Sequence, residues 1–130
     1  DLMSDHGFFA VSAGVDHKKL EIVIKAVLEE MRKLKDKPVP AAELQRAKDH
    51  LSGRLLLGLE TSDALATYYG GQEVLREPLE TPDELLRRVG RVSAADIEAL
   101  ARELFKSKAL NLALIGPFKG EAAFVKILSL

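Results

Sequence analysis

The feature that most constrains this chain is an apolar stripe between His17 and about Lys35, running Leu20, Val23, Ile24, Val27, Leu28, Met31 and Leu34. Apolar residues on a 3.6-residue period can be buried together only as one face of an amphipathic helix. Asp16 precedes the stripe and suits an N-cap, since its carboxylate can accept from the exposed amides of the next turn. Glu21 with Lys25 and Glu29 with Lys33 add i,i+4 pairs worth about 0.3 kcal/mol each. Lys37-Pro38-Val39-Pro40 stops the helix, because proline lacks the amide donor and biases its predecessor away from helical backbone.

Further helices follow. Pro40, a good first-turn residue, opens one that runs to about Glu60 with Leu44, Ala47, Leu51, Leu55 and Leu59 as its stripe. Gly53 and Gly58 each cost about 1 kcal/mol inside a helix, so close packing or a bend near Gly58 is expected. Ser62 to about Leu75 reads as a third helix, with Gly70-Gly71 a weak point. Thr81-Pro82-Asp83-Glu84 spells a capping box with proline in the first turn, opening a short helix through Leu85, Leu86 and Val89. Ser93-Ala94-Ala95-Asp96 starts another, carrying Ile97, Leu100, Ala101, Leu104 and Phe105. Glu121 to Leu130 reads as a small amphipathic helix.

Two runs read as strands. Gly7–Val15 is apolar and β-rich, and Ala109–Ile115 is short, apolar and bounded by Lys108 and Gly116-Pro117. The expected fold class is α+β: a mainly antiparallel sheet covered by helices, with many helices between two visible strands. A two-stranded sheet is marginal in water, so further strands are expected from the same protein or from another copy. The chain also starts at Asp1 rather than Met and opens on a loop-like Asp-Leu-Met-Ser-Asp. Residues 1–130 are accordingly read as a single domain that is the later portion of a larger one.

Composition excludes several functions. Nineteen Lys and Arg against twenty Asp and Glu leave a net charge of -1, without the basic field that nucleic-acid binding needs. No apolar run approaches the roughly 18 residues that span a bilayer, and no basic-then-apolar leader is present. The expectation is a soluble chain with no nucleic-acid or membrane partner, in a compartment the sequence does not specify. Cysteine is absent, removing disulfides, thiolate nucleophiles and cysteine-ligated zinc together.

No reactive constellation emerges. A helical zinc peptidase site needs two histidines on one helical face beside a glutamate, as His-Glu-x-x-His or His-x-x-Glu-His. His6, His17 and His50 have no such spacing and read as solvated or capping groups. Ser12 lacks the Gly-x-Ser-x-Gly frame, and Glu29-Glu30 lies on a charged helical face. Gly14, Gly70-Gly71 and Gly116 match neither a P-loop nor a dinucleotide fingerprint. Tyr68-Tyr69 could line a groove, but near Leu65 reads as half-buried core. The sequence therefore designates no catalytic residue and no metal ligand, and leaves substrate-binding residues unassigned.

A wider pattern carries more. Asp5-His6-Gly7-Phe8-Phe9-Ala10-Val11-Ser12-Ala13-Gly14-Val15-Asp16, a helix, and then Val39-Pro40-Ala41-Ala42-Glu43-Leu44-Gln45-Arg46-Ala47-Lys48 resemble the pitrilysin/insulinase family of zinc peptidases, which includes the mitochondrial processing peptidase. The likeness continues through Leu55-Leu56-Leu57-Gly58-Leu59-Glu60, Val92-Ser93-Ala94-Ala95-Asp96-Ile97 and Leu112-Ala113-Leu114-Ile115-Gly116-Pro117, in order over nearly the whole chain. The resemblance is to the later part of the family's second, C-terminal domain. It implies an α+β domain without metal that closes over the substrate chamber, while a first domain holds zinc. The family's substrate-binding Arg and Tyr lie upstream of the Gly-Phe-Phe strand, so they fall on no residue here. Tyr68, Tyr69 and Arg54 are not substitutes.

The reading is a non-catalytic C-terminal domain of a pitrilysin-type zinc metalloendopeptidase, inactive by itself because it has no His-x-x-Glu-His. Its implied partners are a peptide substrate, the zinc-binding domain or subunit, and a possible second copy. No cofactor is expected in this chain, with zinc in the parent's other domain or a partner subunit. Two alternatives stand beside it: a catalytically inactive partner or scaffold subunit of the same family, and a small helical protein-interaction domain unrelated to peptidases.

Overall fold

The computed structural model describes residues 7–75, 77–118 and 120–130. Among them the regular elements are helices, and Gly7 is a single bridge residue. In chain order the helices are α1 (Leu20–Asp36), α2 (Ala41–Gly58), α3 (Ser62–Val74), α4 (Pro82–Arg91), α5 (Ala94–Leu104) and α6 (Ala122–Val125). Short 3-10 turns at His17–Lys19 and Ser107–Ala109 precede α1 and follow α5.

The local signals explain these boundaries. The Asp16 carboxylate accepts from the Lys18 amide at 2.8 Å, capping the turn that feeds α1. Thr61 caps α3 by accepting from the Ala64 amide at 3.3 Å. Thr81 and Glu84 form the expected capping box at α4, with Pro82 in its first turn. Helix α2 ends at Gly58, where the sequence suggested a bend, whereas α3 runs straight through Gly70-Gly71. A Cβ added at Gly53, Gly58, Gly70 or Gly71 would meet nothing within 4 Å, so close packing does not account for these glycines.

The α+β expectation is overturned. Neither Gly7–Val15 nor Ala109–Ile115 forms a strand, and there is no antiparallel sheet among the described residues. Residues 8–16 are irregular and exposed, with Phe8 53% and Phe9 57% accessible. Ala109 closes a 3-10 turn, and residues 110–115 continue as irregular chain. The physical reason is that β-rich composition states a preference for extended backbone, while a strand exists only when a neighbouring chain accepts its amides and carbonyls. The expected helix Glu121–Leu130 is likewise reduced to the single turn of α6.

The chain divides into two compact units, one built from Pro40–Ala94 with Gly7 and Phe8, the other from Phe9–Val39 and Ala95–Leu130. The second holds the hydrophobic core. Leu20, Ile24 and Leu28 of α1 are buried, and Met31, Leu110, Leu114, Phe118, Phe124, Ile127 and Leu130 pack against them. Burying each such aliphatic side chain stabilises by about 1.5–3 kcal/mol. Leu110 and Leu114 thus face the core while Ile115 is fully exposed. Ala101 and Phe105 are also buried, and Phe105 meets Phe9 edge to face with ring centroids 5.2 Å apart. Polar ties close this unit: the Arg102 Nε donates to the Lys35 carbonyl at 2.9 Å, and the Arg32 guanidinium to the Ser129 carbonyl at 3.0 Å.

The first unit is α2, α3 and α4, and none of its described residues is buried. Helix α2 packs on α4, and Lys48 Nζ donates to the Gly90 carbonyl at 2.8 Å. The half-buried face of α2 is therefore Leu44, Lys48, Ser52, Leu55 and Leu59. Ala47 and Leu51, which the sequence stripe placed inside, are exposed, Leu51 at 52%.

Candidate functional site

An open groove of about 730 Å³ lies between α3 and α4, lined in part by the connection that carries Pro78 and Leu79. Its geometry depends on Gln72 in the last turns of α3. The Gln72 carboxamide accepts from the Glu80 amide at 2.6 Å and donates to the Glu80 carbonyl at 3.2 Å. Both main-chain groups of Glu80 are thereby satisfied by one side chain, which holds the connection in a single conformation. A backbone bond from the Glu77 amide to the Gln72 carbonyl, 3.0 Å, adds a second tie.

Electrostatics finish the groove. Glu80 is largely covered and pairs with Arg88 at 2.7 Å. Burial pushes the half-buried Tyr68 phenol above its ordinary range, and the Glu80 carboxylate pushes it further the same way. Tyr68 and Tyr69 stack edge to face at 5.2 Å, in keeping with their reading as half-buried packing residues. At the head of α4, hydrogen bonds from the Thr81 amide and then the Thr81 hydroxyl hold the Glu84 carboxyl below its ordinary value. The Arg87 Nε donates to the Asp83 carbonyl at 3.2 Å, and the Arg87 charge also favours the ionised Glu84 carboxylate.

This groove was not singled out from the sequence. Its legible signals were the capping box at Thr81 and the arginines at 87, 88 and 91, which together mark the two ends of one short helix. What could not be read was that Gln72 and Glu80 meet.

His17 is exposed and lies 3.8 Å from the Asp16 carboxylate, and His50 is exposed on α2. His6 lies outside the described residues. Among the described residues, no group of three or more His, Cys, Asp or Glu side chains could hold a metal ion. The described residues therefore do not fit a zinc centre. Also among them, no helix is long and apolar enough to cross a membrane.

Residues 1–51 match the family model described as the Peptidase M16 inactive domain. Over 120 residues the chain is 30% identical to an uncharacterized zinc protease of Streptomyces coelicolor, covering 92% of this chain and 26% of that protein. An uncharacterized zinc protease of Bacillus subtilis is 28% identical, covering 87% of this chain and 27% of that protein. The mitochondrial-processing peptidase subunit beta of Saccharomyces cerevisiae is 26% identical, covering 85% of this chain and 24% of that protein. No solved structure matches. The chain spans about a quarter of the length of these curated relatives.

This chain is homologous to the pitrilysin-type zinc proteases, and the part of that family it matches is the inactive domain. The resemblance carried by Gly7-Phe8-Phe9 and the segments after it is thus a family relationship. An origin unrelated to peptidases is overturned by the same matches.

Proposed function

We propose that this chain is a non-catalytic portion of the C-terminal domain of a pitrilysin-type zinc metalloendopeptidase. In this reading it belongs to the later part of a larger second domain and forms part of the wall that encloses a peptide substrate. Zinc is held by another domain or a partner subunit, and hydrolysis occurs there. The observation that carries the reading is the match of residues 1–51 to the family's inactive domain.

The test compares the longer polypeptide containing this chain, the same polypeptide without residues 1–130, and the chain alone on a quenched fluorogenic peptide. The whole polypeptide should cleave it and lose activity to a chelator, the deletion should lower kcat/KM, and the chain alone should be inactive. Zinc-dependent cleavage by the chain alone would sink the reading.

A second reading is supported by one relative's name, since the yeast protein is a subunit of a processing peptidase. Here the whole polypeptide lacks the zinc motif and acts as the partner of an active chain. A longer polypeptide that binds no zinc, yet raises the activity of a zinc-carrying partner, would favour it.

A further inference from the structure

After α6 the chain from Lys126 to Leu130 forms no regular element, yet it is tied at Ser129 and Leu130. The Ser107 hydroxyl accepts from the Leu130 amide and donates to the Leu130 main-chain oxygen, each at 2.9 Å. One side chain thereby satisfies both backbone groups of that residue. The Arg32 guanidinium donates one nitrogen to the Ser129 carbonyl at 3.0 Å and the other to the Glu29 carboxylate at 3.3 Å. Ile127 and Leu130 are half-buried and pack against the buried cluster of Leu20, Ile24 and Leu28. Arg32 stands one helical turn beyond Leu28, so the tie to Ser129 lies beside the last buried residue of that stripe.

This segment is held less firmly than what it covers. Its polar ties are exposed, so water takes their place when they break. Helix α1 is held by bonds within itself and loses none of its backbone pairing if the segment lifts. Leu110, Leu114, Phe118 and Phe124 would remain against α1. Phe118 and Phe124 meet edge to face with ring centroids 5.4 Å apart, which anchors the base of the segment. Few apolar contacts and exposed hydrogen bonds are the marks of a region that opens before the rest of the fold.

We propose that residues 126–130 form a strap across the apolar face of α1, fastened by Ser107 and Arg32, which opens as a unit and uncovers Leu28 while α1 and α5 stay folded. The chain then has two native states, one of which presents an apolar surface beside Arg32. This device is independent of the peptidase reading.

The chain contains no cysteine, so a single introduced thiol reports only on its own surroundings. In the full chain, Leu28→Cys places the thiol in the buried stripe, and Ala101→Cys places it at a buried site on α5 outside that cluster. Reaction with an aromatic disulfide reagent tracks the population of the open form when reclosing is fast. The Leu28→Cys rate should change little in low urea, because strap opening exposes little surface, whereas the Ala101→Cys rate should rise steeply. Adding Ser107→Ala or Arg32→Met to Leu28→Cys should speed its reaction roughly threefold to tenfold. A second measurement leaves the stripe intact: the Ser107→Ala, Arg32→Met double variant should bind more of an apolar fluorescent dye than the parent at unchanged far-UV circular dichroism. That comparison decides the question even if Leu28→Cys does not fold. Equal urea dependence of the two thiols, an unchanged Leu28→Cys rate on loss of either tie, parent-like dye binding by the double variant, or its outright unfolding would each overturn the proposal.

Discussion

The side chain of Gln72 grips both backbone groups of Glu80, accepting from its amide at 2.6 Å and donating to its carbonyl at 3.2 Å. A glutamine carboxamide has the same donor and acceptor pair as a peptide group, so it substitutes for a missing backbone partner. These bonds are partly buried, and each is worth about 0.5–1.5 kcal/mol. Gln72→Ala should therefore lower stability by about 1–2 kcal/mol and raise amide hydrogen exchange at residues 77–80 before exchange rises elsewhere. Gln72→Glu should fall between the two, since it retains the acceptor for the Glu80 amide and loses the donor to the carbonyl. Uniform exchange across the chain in Gln72→Ala would show that the tie is incidental.

Core packing has a sharper test. Ile24 sits in the middle of the buried stripe of α1, 7% accessible, with Leu20 and Leu28 one turn to either side. Ile24→Ala should cost about 2–5 kcal/mol, nearer the lower figure because many of its neighbours are only half-buried. Lys25, one residue round the helix, forms an exposed pair with Glu21 at 2.6 Å. Surface pairs of this kind contribute little, so Lys25→Ala should stay within about 0.5 kcal/mol. Urea melts of the two variants beside the parent decide the matter, and equal shifts in midpoint would mean that α1 is not docked by this face.

Acid should weaken the start of α4. The Glu84 carboxyl is held below its ordinary value of 4.5, first by the Thr81 amide and next by the Thr81 hydroxyl. A folded-state value below the unfolded one means the charged form contributes stability above the unfolded value, and that contribution disappears as pH falls through the folded value. Asp63 at the head of α3 shifts the same way, chiefly through its hydrogen bond with Thr61. Glu84→Gln keeps a side chain able to accept from the Thr81 amide but cannot titrate. The difference in melting midpoint between parent and Glu84→Gln should therefore shrink as pH falls from neutrality to below about 4. A difference that is constant with pH would show that the carboxylate charge is irrelevant to the cap.

Metal content gives a direct check on the histidines. His17 and His50 lie exposed on separate elements, and no cluster of ligands joins either among the described residues. After chelation and dialysis against buffer with trace zinc, elemental analysis should find far less than one zinc per chain. Stoichiometric retention would require a ligand set that the described geometry does not contain.

The helices were legible because their causes are local. The period of Leu20, Ile24 and Leu28, the Asp16 and Thr81 caps, and the stop at Pro38-Val39-Pro40 all act within a few residues, and each does so in the structure. The absence of a zinc motif is equally a matter of spacing along the chain. Family membership was legible for another reason: ordered segments from Gly7-Phe8-Phe9 to Ile115-Gly116-Pro117 carry ancestry whatever conformation they adopt.

What only the tertiary structure decided is every feature that needs a distant partner. Gly7–Val15 and Ala109–Ile115 have strand-like composition, but pairing requires backbone groups from elsewhere, and among the described residues no ladder forms. Helix α2 leaves Leu51 exposed and half-buries Lys48, whose ammonium group reaches the carbonyl of Gly90, 42 positions along. The groove exists because Gln72 and Glu80 meet across the α3–α4 connection. Propensity acts between near neighbours and can be read one residue at a time. A contact between residues far apart depends on the whole path between them, and that path is set only when the chain has packed.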